Sequence, residues 1–108
     1  MFEISNTGKR RMKKIEEATK VKSQSVFGGG KQIVVGFPNG FGVSIICSSY
    51  SYGGSDGLLE VAVLYNNELC YDTNITNDVI GYLTADEAIK LIKQVEALPK
   101  KFQKKQGK

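Results

Sequence analysis

The chain has 108 residues, a formal net charge of +4 and no histidine, and 41% of its residues are hydrophobic. This length predicts one domain with a core of its own, and no apolar run reaches the roughly 20 residues of a membrane-spanning helix. The lack of histidine excludes Ser-His and Cys-His nucleophile systems and histidine metal ligands. The start of the chain has no apolar signal-peptide segment, so we expect an intracellular protein without a membrane partner.

The charged residues are segregated along the chain. Residues 1–31 hold eight Lys or Arg against three Glu, and residues 90–108 hold seven Lys against one Glu. Between them, residues 32–89 hold seven acidic residues and no Lys or Arg. An acidic body between two basic arms suits binding, and it indicates either two partners or partial self-neutralisation within the protein.

The first segment, residues 8–22, predicts a basic helix. Its apolar residues recur every three positions and drift around the helix, so we expect it to be loosely attached. Residues 23–30 end in three glycines and predict a flexible joint. We therefore expect residues 1–31 to be a basic helix and joint that precede a core domain of residues 32–98. The glycines do not match a phosphate-binding loop, since Gln32 replaces the required Ser or Thr.

Period-two alternation after residue 31 predicts four strands. Two of them flank the turn of residues 37–41, which contains Pro38, Asn39 and Gly40. The other two are joined by Asn66 and Asn67, and a type I′ turn there pairs Tyr65 with Glu68. This second hairpin is apolar on both faces, so its outer face is either covered within the monomer or meets a partner. The sequence leaves open whether the protein forms a homo-oligomer.

The last helix has the strongest signals. Thr84 and Glu87 form a capping box, and a broad apolar stripe follows before Pro99 ends the helix. The tail of residues 99–108 is basic, has Phe102 as its sole large apolar residue, and is predicted to be disordered. The predicted fold class is α+β, with a four-stranded, mostly antiparallel sheet, a C-terminal helix on one face and a basic N-terminal helix.

The sequence predicts no metal or cofactor site. Residues 72–78 resemble the start of a calcium loop, but Asn77 replaces its glycine and Leu83 its bidentate Glu. Cys47 and Cys70 lie in strand-like runs, which favours buried thiols. The remaining candidates for acid–base chemistry favour a solvated acidic face over catalysis, and we expect no enzyme; they are Asp56, Glu60, Asp72 and Asp78.

Three segments together resemble small uncharacterised accessory proteins encoded by tailed bacteriophages. They are residues 37–45 (FPNGFGVSI), 51–64 (SYGGSDGLLEVAVL) and 71–84 (YDTNITNDVIGYLT). The resemblance covers roughly residues 33–98 and leaves out both basic arms. It implies a phage accessory protein made in the bacterial host cytoplasm, and it assigns no catalytic residue.

The leading functional hypothesis is a non-enzymatic module that binds a host or phage protein, for example to block a host enzyme or defence component. Its predicted contact surface is the loop of residues 50–57, which is longer than a tight hairpin needs. Tyr50 and Tyr52 offer large contact areas with few rotatable bonds, and Asp56 complements a basic partner surface. The competing interpretation folds both tyrosines back onto the sheet.

The alternative hypothesis is nonspecific nucleic-acid binding through the basic arms. No basic residue flanks the tyrosines of the predicted sheet, so binding through stacked bases is not expected there. The residues predicted for this function are Lys9, Arg10, Arg11, Lys13, Lys14, Lys100, Lys101, Lys104 and Lys105.

Overall fold

A computed structural model describes residues 3–70 and 79–100. In this part of the chain, six strands form one sheet, and every described strand pair is antiparallel. Strands β1 to β4 lie side by side in chain order, and β5 and β6 both pair with β4. The elements are α1 (Asn6–Thr19), β1 (Gln24–Val26), β2 (Gly30–Gly36), β3 (Phe41–Cys47), a 3-10 turn (Gly54–Asp56), β4 (Leu59–Tyr65), β5 (Glu68–Leu69), β6 (Ile80–Leu83) and α2 (Ala85–Glu96).

The α+β class is confirmed, but the prediction of four strands is wrong. The glycines of residues 28–30 do not form a joint: Gly28 and Gly29 have φ of 92° and 78° and close the turn between β1 and β2. The chain needs glycine there because L side chains rarely adopt positive φ. The two strands that were not predicted are β1 and β6. The strand β6 is short and contains Gly81 between Ile80 and Tyr82, so its sequence gives only a weak alternating pattern. The boundary expected after residue 31 falls inside β2.

Both helices pack on the same face of the sheet. From this face, Ile33 of β2, Val43 of β3 and Val61 of β4 enter one buried cluster with α1 and α2. The alternate residues of β2, β3 and β4 lie on the opposite face, which we call the second face. Gln32, Ile46 and Glu60 form one row of this second face, because they are aligned by register.

The expectation that α1 is loosely attached is wrong. Met12 and Ile15 are 2% and 0% exposed, and both belong to the core cluster. Burying two such side chains contributes about 1.5–3 kcal/mol each. Ser5 caps the start of α1 by accepting a hydrogen bond from Gly8 N at 3.0 Å. A thin stripe therefore suffices for attachment, because it meets a sheet and a second helix along its length.

The structure confirms the two hairpin predictions and the capping box. Tyr65 pairs with Glu68, and Asn66 and Asn67 both have the positive φ of a type I′ turn. Thr84 caps α2 reciprocally with Glu87. The apolar stripe of α2 is buried as predicted, with Ala88, Ile92 and Val95 between 0% and 6% exposed.

Asn39, in the turn between β2 and β3, fixes the end of α2. Its side-chain amide donates to the carbonyl oxygens of Val95, Glu96 and Leu98 at 3.0, 3.2 and 2.8 Å. Its side-chain oxygen accepts from Phe41 N at 2.9 Å. One turn residue thus donates to carbonyl groups in and just after the last turn of α2, where a helix leaves carbonyls without intrahelical partners, and it ties α2 to the sheet.

Two predictions concern residues outside the described ranges. They are the calcium-like segment of residues 72–78 and all of the basic tail beyond Lys100. Neither described helix is long and apolar enough to cross a membrane.

Candidate protein-binding site

Four exposed aromatic side chains lie at one end of the sheet, and we call them the aromatic end. Phe27, Tyr50, Tyr52 and Tyr82 are 87%, 72%, 57% and 63% exposed. Within the described ranges, the remaining two exposed large hydrophobic side chains are on the second face. The β3–β4 loop, which carries Tyr50 and Tyr52, thus contacts the β1–β2 turn through Phe27 and β6 through Tyr82.

Phe27 and Tyr50 form a stacked pair. Their ring centroids are 5.7 Å apart and their planes differ by 5°. A Cβ at Gly28 would lie 2.7 Å from Tyr50 Cδ2, so the turn closely follows the tyrosine ring. The stack joins the β1–β2 turn to the β3–β4 loop and holds both rings in a fixed orientation.

The β3–β4 loop is ordered by its own serines. Ser48 is 1% exposed, and its backbone N donates to Ser51 Oγ at 2.8 Å. Ser51 Oγ in turn donates to the Ser48 carbonyl at 3.0 Å, while Tyr50 N donates to Ser48 Oγ at 3.1 Å. A loop held in this way presents Tyr50 with little conformational entropy left to lose on binding.

Tyr52 and Tyr82 are connected through the backbone. Tyr82 N donates to the Tyr52 carbonyl at 3.1 Å, and Tyr52 N donates to Glu60 Oε1 at 2.8 Å. A Cβ at Gly81 would overlap the Tyr52 Cβ, so β6 approaches this loop as closely as glycine allows. Glu60 belongs to the second face, so the aromatic end continues into that face.

Tyr82 has an unusual backbone conformation. Its φ is 58°, in the left-handed region that favours glycine or asparagine. A tyrosine at this position costs stability while its ring stays mostly exposed. Strain of this kind is characteristic of functional positions.

The three residues predicted for protein binding lie in the same loop. Tyr50 and Tyr52 are exposed and do not fold back onto the sheet, and Asp56 is exposed in the 3-10 turn. Sequence reasoning missed Phe27 and Tyr82. Phe27 was missed because it precedes three glycines that were interpreted as a flexible joint, and Tyr82 was missed because strand β6 was not predicted.

A buried thiol lies against this loop, since Cys47 Sγ donates to the Gly54 carbonyl at 3.6 Å. Burial raises the pKa of the Cys47 thiol, and the nearby Arg11 lowers it by a smaller amount, so the thiol is protonated at neutral pH. In residues 3–70 and 79–100, no group of three His, Cys, Asp or Glu is arranged to hold a metal ion. The exposed groups of the aromatic end and its loop are aromatic faces, tyrosine hydroxyls and the Asp56 carboxylate.

The residues predicted for nucleic-acid binding that the structure describes lie on or next to the two helices. Lys9, Arg10, Lys13 and Lys14 are exposed on α1, and Lys100 is exposed beyond α2. Three of the predicted residues have partners within the fold. Arg10 Nη2 donates to Thr7 Oγ1 at 3.3 Å. Arg11 Nη1 donates to the Gly57 carbonyl at 2.8 Å. Lys14 Nζ lies 2.9 Å from Asp86 Oδ1. The other three, Lys101, Lys104 and Lys105, are outside the described residues.

Comparison with known proteins found no match to a family model, to a curated protein or to a solved structure.

Proposed function

We propose that this protein is a non-enzymatic binding module that contacts a protein partner through the aromatic end. The observation that carries the proposal is the concentration of four exposed aromatic side chains on two connections and β6. Large exposed aromatic groups are costly to solvate, and in folded proteins such patches mark interaction sites.

The fixed conformation of the β3–β4 loop also supports a role in binding. Protein interfaces are enriched in tyrosine, and their affinity is concentrated in a few aromatic or arginine side chains at the centre. Here the Ser48–Ser51 bonds, the Phe27–Tyr50 stack and the Tyr52–Glu60 bond hold the rings in place before a partner arrives. Such preorganisation lowers the entropy lost on association.

The charges around the aromatic end favour a basic partner surface. Asp56 is exposed in the same loop as Tyr50 and Tyr52, and residues 32–89 contain no Lys or Arg. Arg11 of α1 reaches this loop, but its Nη1 donates to the Gly57 carbonyl within the fold. Arginine side chains of a partner would stack on the tyrosine rings and pair with Asp56. The resemblance to phage accessory proteins makes a host enzyme or defence component the partner class we propose.

The test is capture from nuclease-treated bacterial lysate with purified wild type and variants. The triple variant Tyr50→Ala/Tyr52→Ala/Asp56→Ala should keep its melting temperature and lose about 2 kcal/mol or more of binding free energy, roughly 30-fold in affinity. The matched control, Val34→Ala/Leu69→Ala, removes the two exposed apolar side chains of the second face and should bind as wild type.

Full-strength capture by the triple variant, with loss in the control, would move the interface to the second face. Capture that disappears on nuclease treatment of the wild-type sample would argue against a protein partner altogether.

A further inference from the structure

The charges of α1 are arranged against its own dipole. Lys9, Arg10 and Arg11 lie in the first half of the helix, where its positive end is, and Glu16 and Glu17 lie near its negative end. Its first turn has no acidic residue and its last turn no basic one. A helix macrodipole favours the reverse order.

The other helix follows the rule that α1 breaks. Asp86 and Glu87 lie in the first turn of α2, and Lys93 lies in its last turn. The same chain thus has one helix with charges ordered for stability and one with charges ordered against it. Local violations of this kind are expected where a surface serves binding.

The basic residues of α1 combine with one lysine from the sheet. Lys9, Arg10 and Lys13 are exposed and away from the buried side of the helix. Lys31 of β2 lies on the helix side of the sheet, since it lines one hollow together with Lys9 and Lys13. We call Lys9, Arg10, Lys13 and Lys31 the basic surface.

Two carboxylates lie beside the basic surface, those of Glu16 and Glu17. Glu16 accepts hydrogen bonds from Ser23 N at 2.8 Å and Ser23 Oγ at 2.7 Å. Glu17 is exposed beside Lys13, and Lys14 is already paired with Asp86. Four cations on this surface therefore outnumber the two carboxylates, Glu16 and Glu17, that lie beside them.

We propose that the basic surface binds the phosphate backbone of a nucleic-acid duplex without sequence preference. Lysine and arginine side chains bind phosphates by neutralising them and releasing counterions, which needs no contact with the bases. Four cations on one rigid helix and an adjoining strand form a fixed array for this purpose.

The absence of exposed apolar groups on the described helices favours a duplex over other polyanions. None of the six exposed large hydrophobic side chains in the described ranges lies on α1 or α2. Binding a single strand uses aromatic rings to stack bases, and a protein interface needs an apolar centre. An anionic membrane likewise binds best to helices that insert apolar side chains.

The duplex proposal goes beyond the proposed protein binding and does not rest on it. The basic surface shares no residue with the aromatic end. One molecule is therefore able to hold a duplex on its helix side and a protein partner at its aromatic end.

The test uses the purified full chain and a mixed-sequence 30-base-pair DNA duplex, with affinity measured across a salt series. The variant Lys9→Gln/Lys13→Gln/Lys31→Gln should reduce the slope of log K against log salt by about 2.7 in magnitude, since each lost phosphate contact accounts for about 0.9. The control Lys90→Gln/Lys93→Gln/Lys100→Gln removes the same charge from exposed positions on and after α2 and should change the slope by less than one contact.

Binding to three other polyanions tests whether the basic surface prefers a duplex. The wild type should bind the duplex more tightly than the single strand of equal length, poly-glutamate of equal charge, or phosphatidylserine vesicles. Equal losses in the two triple variants would overturn the proposal, because net charge alone would then explain binding. Tighter binding to any of the other three ligands would overturn the duplex assignment.

Discussion

The helix side and the aromatic end of this protein have opposite surface chemistry. The helices direct their apolar residues into the core and expose mostly charged side chains, as Met12 and Lys13 illustrate at neighbouring positions. The aromatic end exposes tyrosine and phenylalanine, and its β3–β4 loop and β6 contain no basic residue.

This difference shows how the charge segregation of the chain becomes spatial. The basic first segment folds into a helix on one side of the sheet, and the strand connections without Lys or Arg build the end with exposed rings. Each region is suited to a different partner, since charge attracts phosphates and aromatic area supports protein contacts. The variants below test whether the two regions differ in this way.

The largest effect is expected for Ile15→Ala, which tests whether the helix side is part of the core. Ile15 is fully buried, so its truncation should lower the free energy of unfolding by about 2–5 kcal/mol. Urea denaturation, monitored by circular dichroism, measures the decrease in the free energy of unfolding. Lys13→Ala, exposed on the same helix, is the control and should stay within about 0.5 kcal/mol of wild type. Equal stability of the two variants would mean that α1 is only loosely attached to the core.

A smaller loss is expected for Asn39→Ala. The variant removes the amide that donates to three carbonyls at the end of α2, and we expect a loss of about 1–3 kcal/mol. Hydrogen exchange should increase first in the last turn of α2. Gln94→Ala, exposed on the same helix, serves as the control. Unchanged exchange in that turn would mean that the helix end does not depend on Asn39.

Tyr82→Asn separates the binding role of the aromatic end from its stability. Asparagine tolerates the positive φ of position 82, so the melting temperature should stay the same or rise slightly. Partner capture should fall, because an exposed ring is lost. Tyr65→Asn is a contrasting control, since Tyr65 packs edge-on against the buried Phe41 and its replacement should destabilise the fold. A Tyr82→Asn variant that melts earlier and binds normally would make Tyr82 structural.

The smallest effect concerns Glu16 and pH. Hydrogen bonds from Ser23, first from its backbone and then from its hydroxyl, hold the pKa of Glu16 below its usual value of 4.5. The carboxylate therefore stabilises the fold fully above about pH 4.5, and this contribution is lost as the pH falls through the lowered pKa. Glu16→Gln should lower stability at pH 7 and matter less at pH 3, as thermal unfolding at both values would show. A difference from wild type that is larger at pH 3 would contradict this assignment.

Local signals in the sequence predicted much of the fold. The capping box of Thr84 and Glu87 and the turn at Asn66 and Asn67 depend on neighbours within a few residues, so they are readable from the chain. The burial of α1 depends on a sheet and a helix distant in sequence, so its thin apolar stripe predicted attachment too weakly. The glycines before Lys31 were consistent with either a joint or a turn, and only the pairing of β1 with β2 decides between them.

The candidate site was predictable only in part for the same reason. Tyr50, Tyr52 and Asp56 lie in one loop and were found together from its length and composition. Phe27 and Tyr82 join them through the stack on Tyr50 and the bond to the Tyr52 carbonyl. These contacts cross long stretches of chain, and no pattern within a single segment indicates them.

The most direct test of the division between the two regions is photo-crosslinking in expressing bacteria. A benzophenone amino acid is placed at Tyr50, at Lys13 or at Lys93, which are exposed on the aromatic end, on α1 and on α2. The account predicts a discrete protein adduct from position 50, a nuclease-sensitive adduct from position 13, and neither in quantity from position 93. The same adducts from all three positions, or a nuclease-sensitive adduct from position 50 alone, would contradict it.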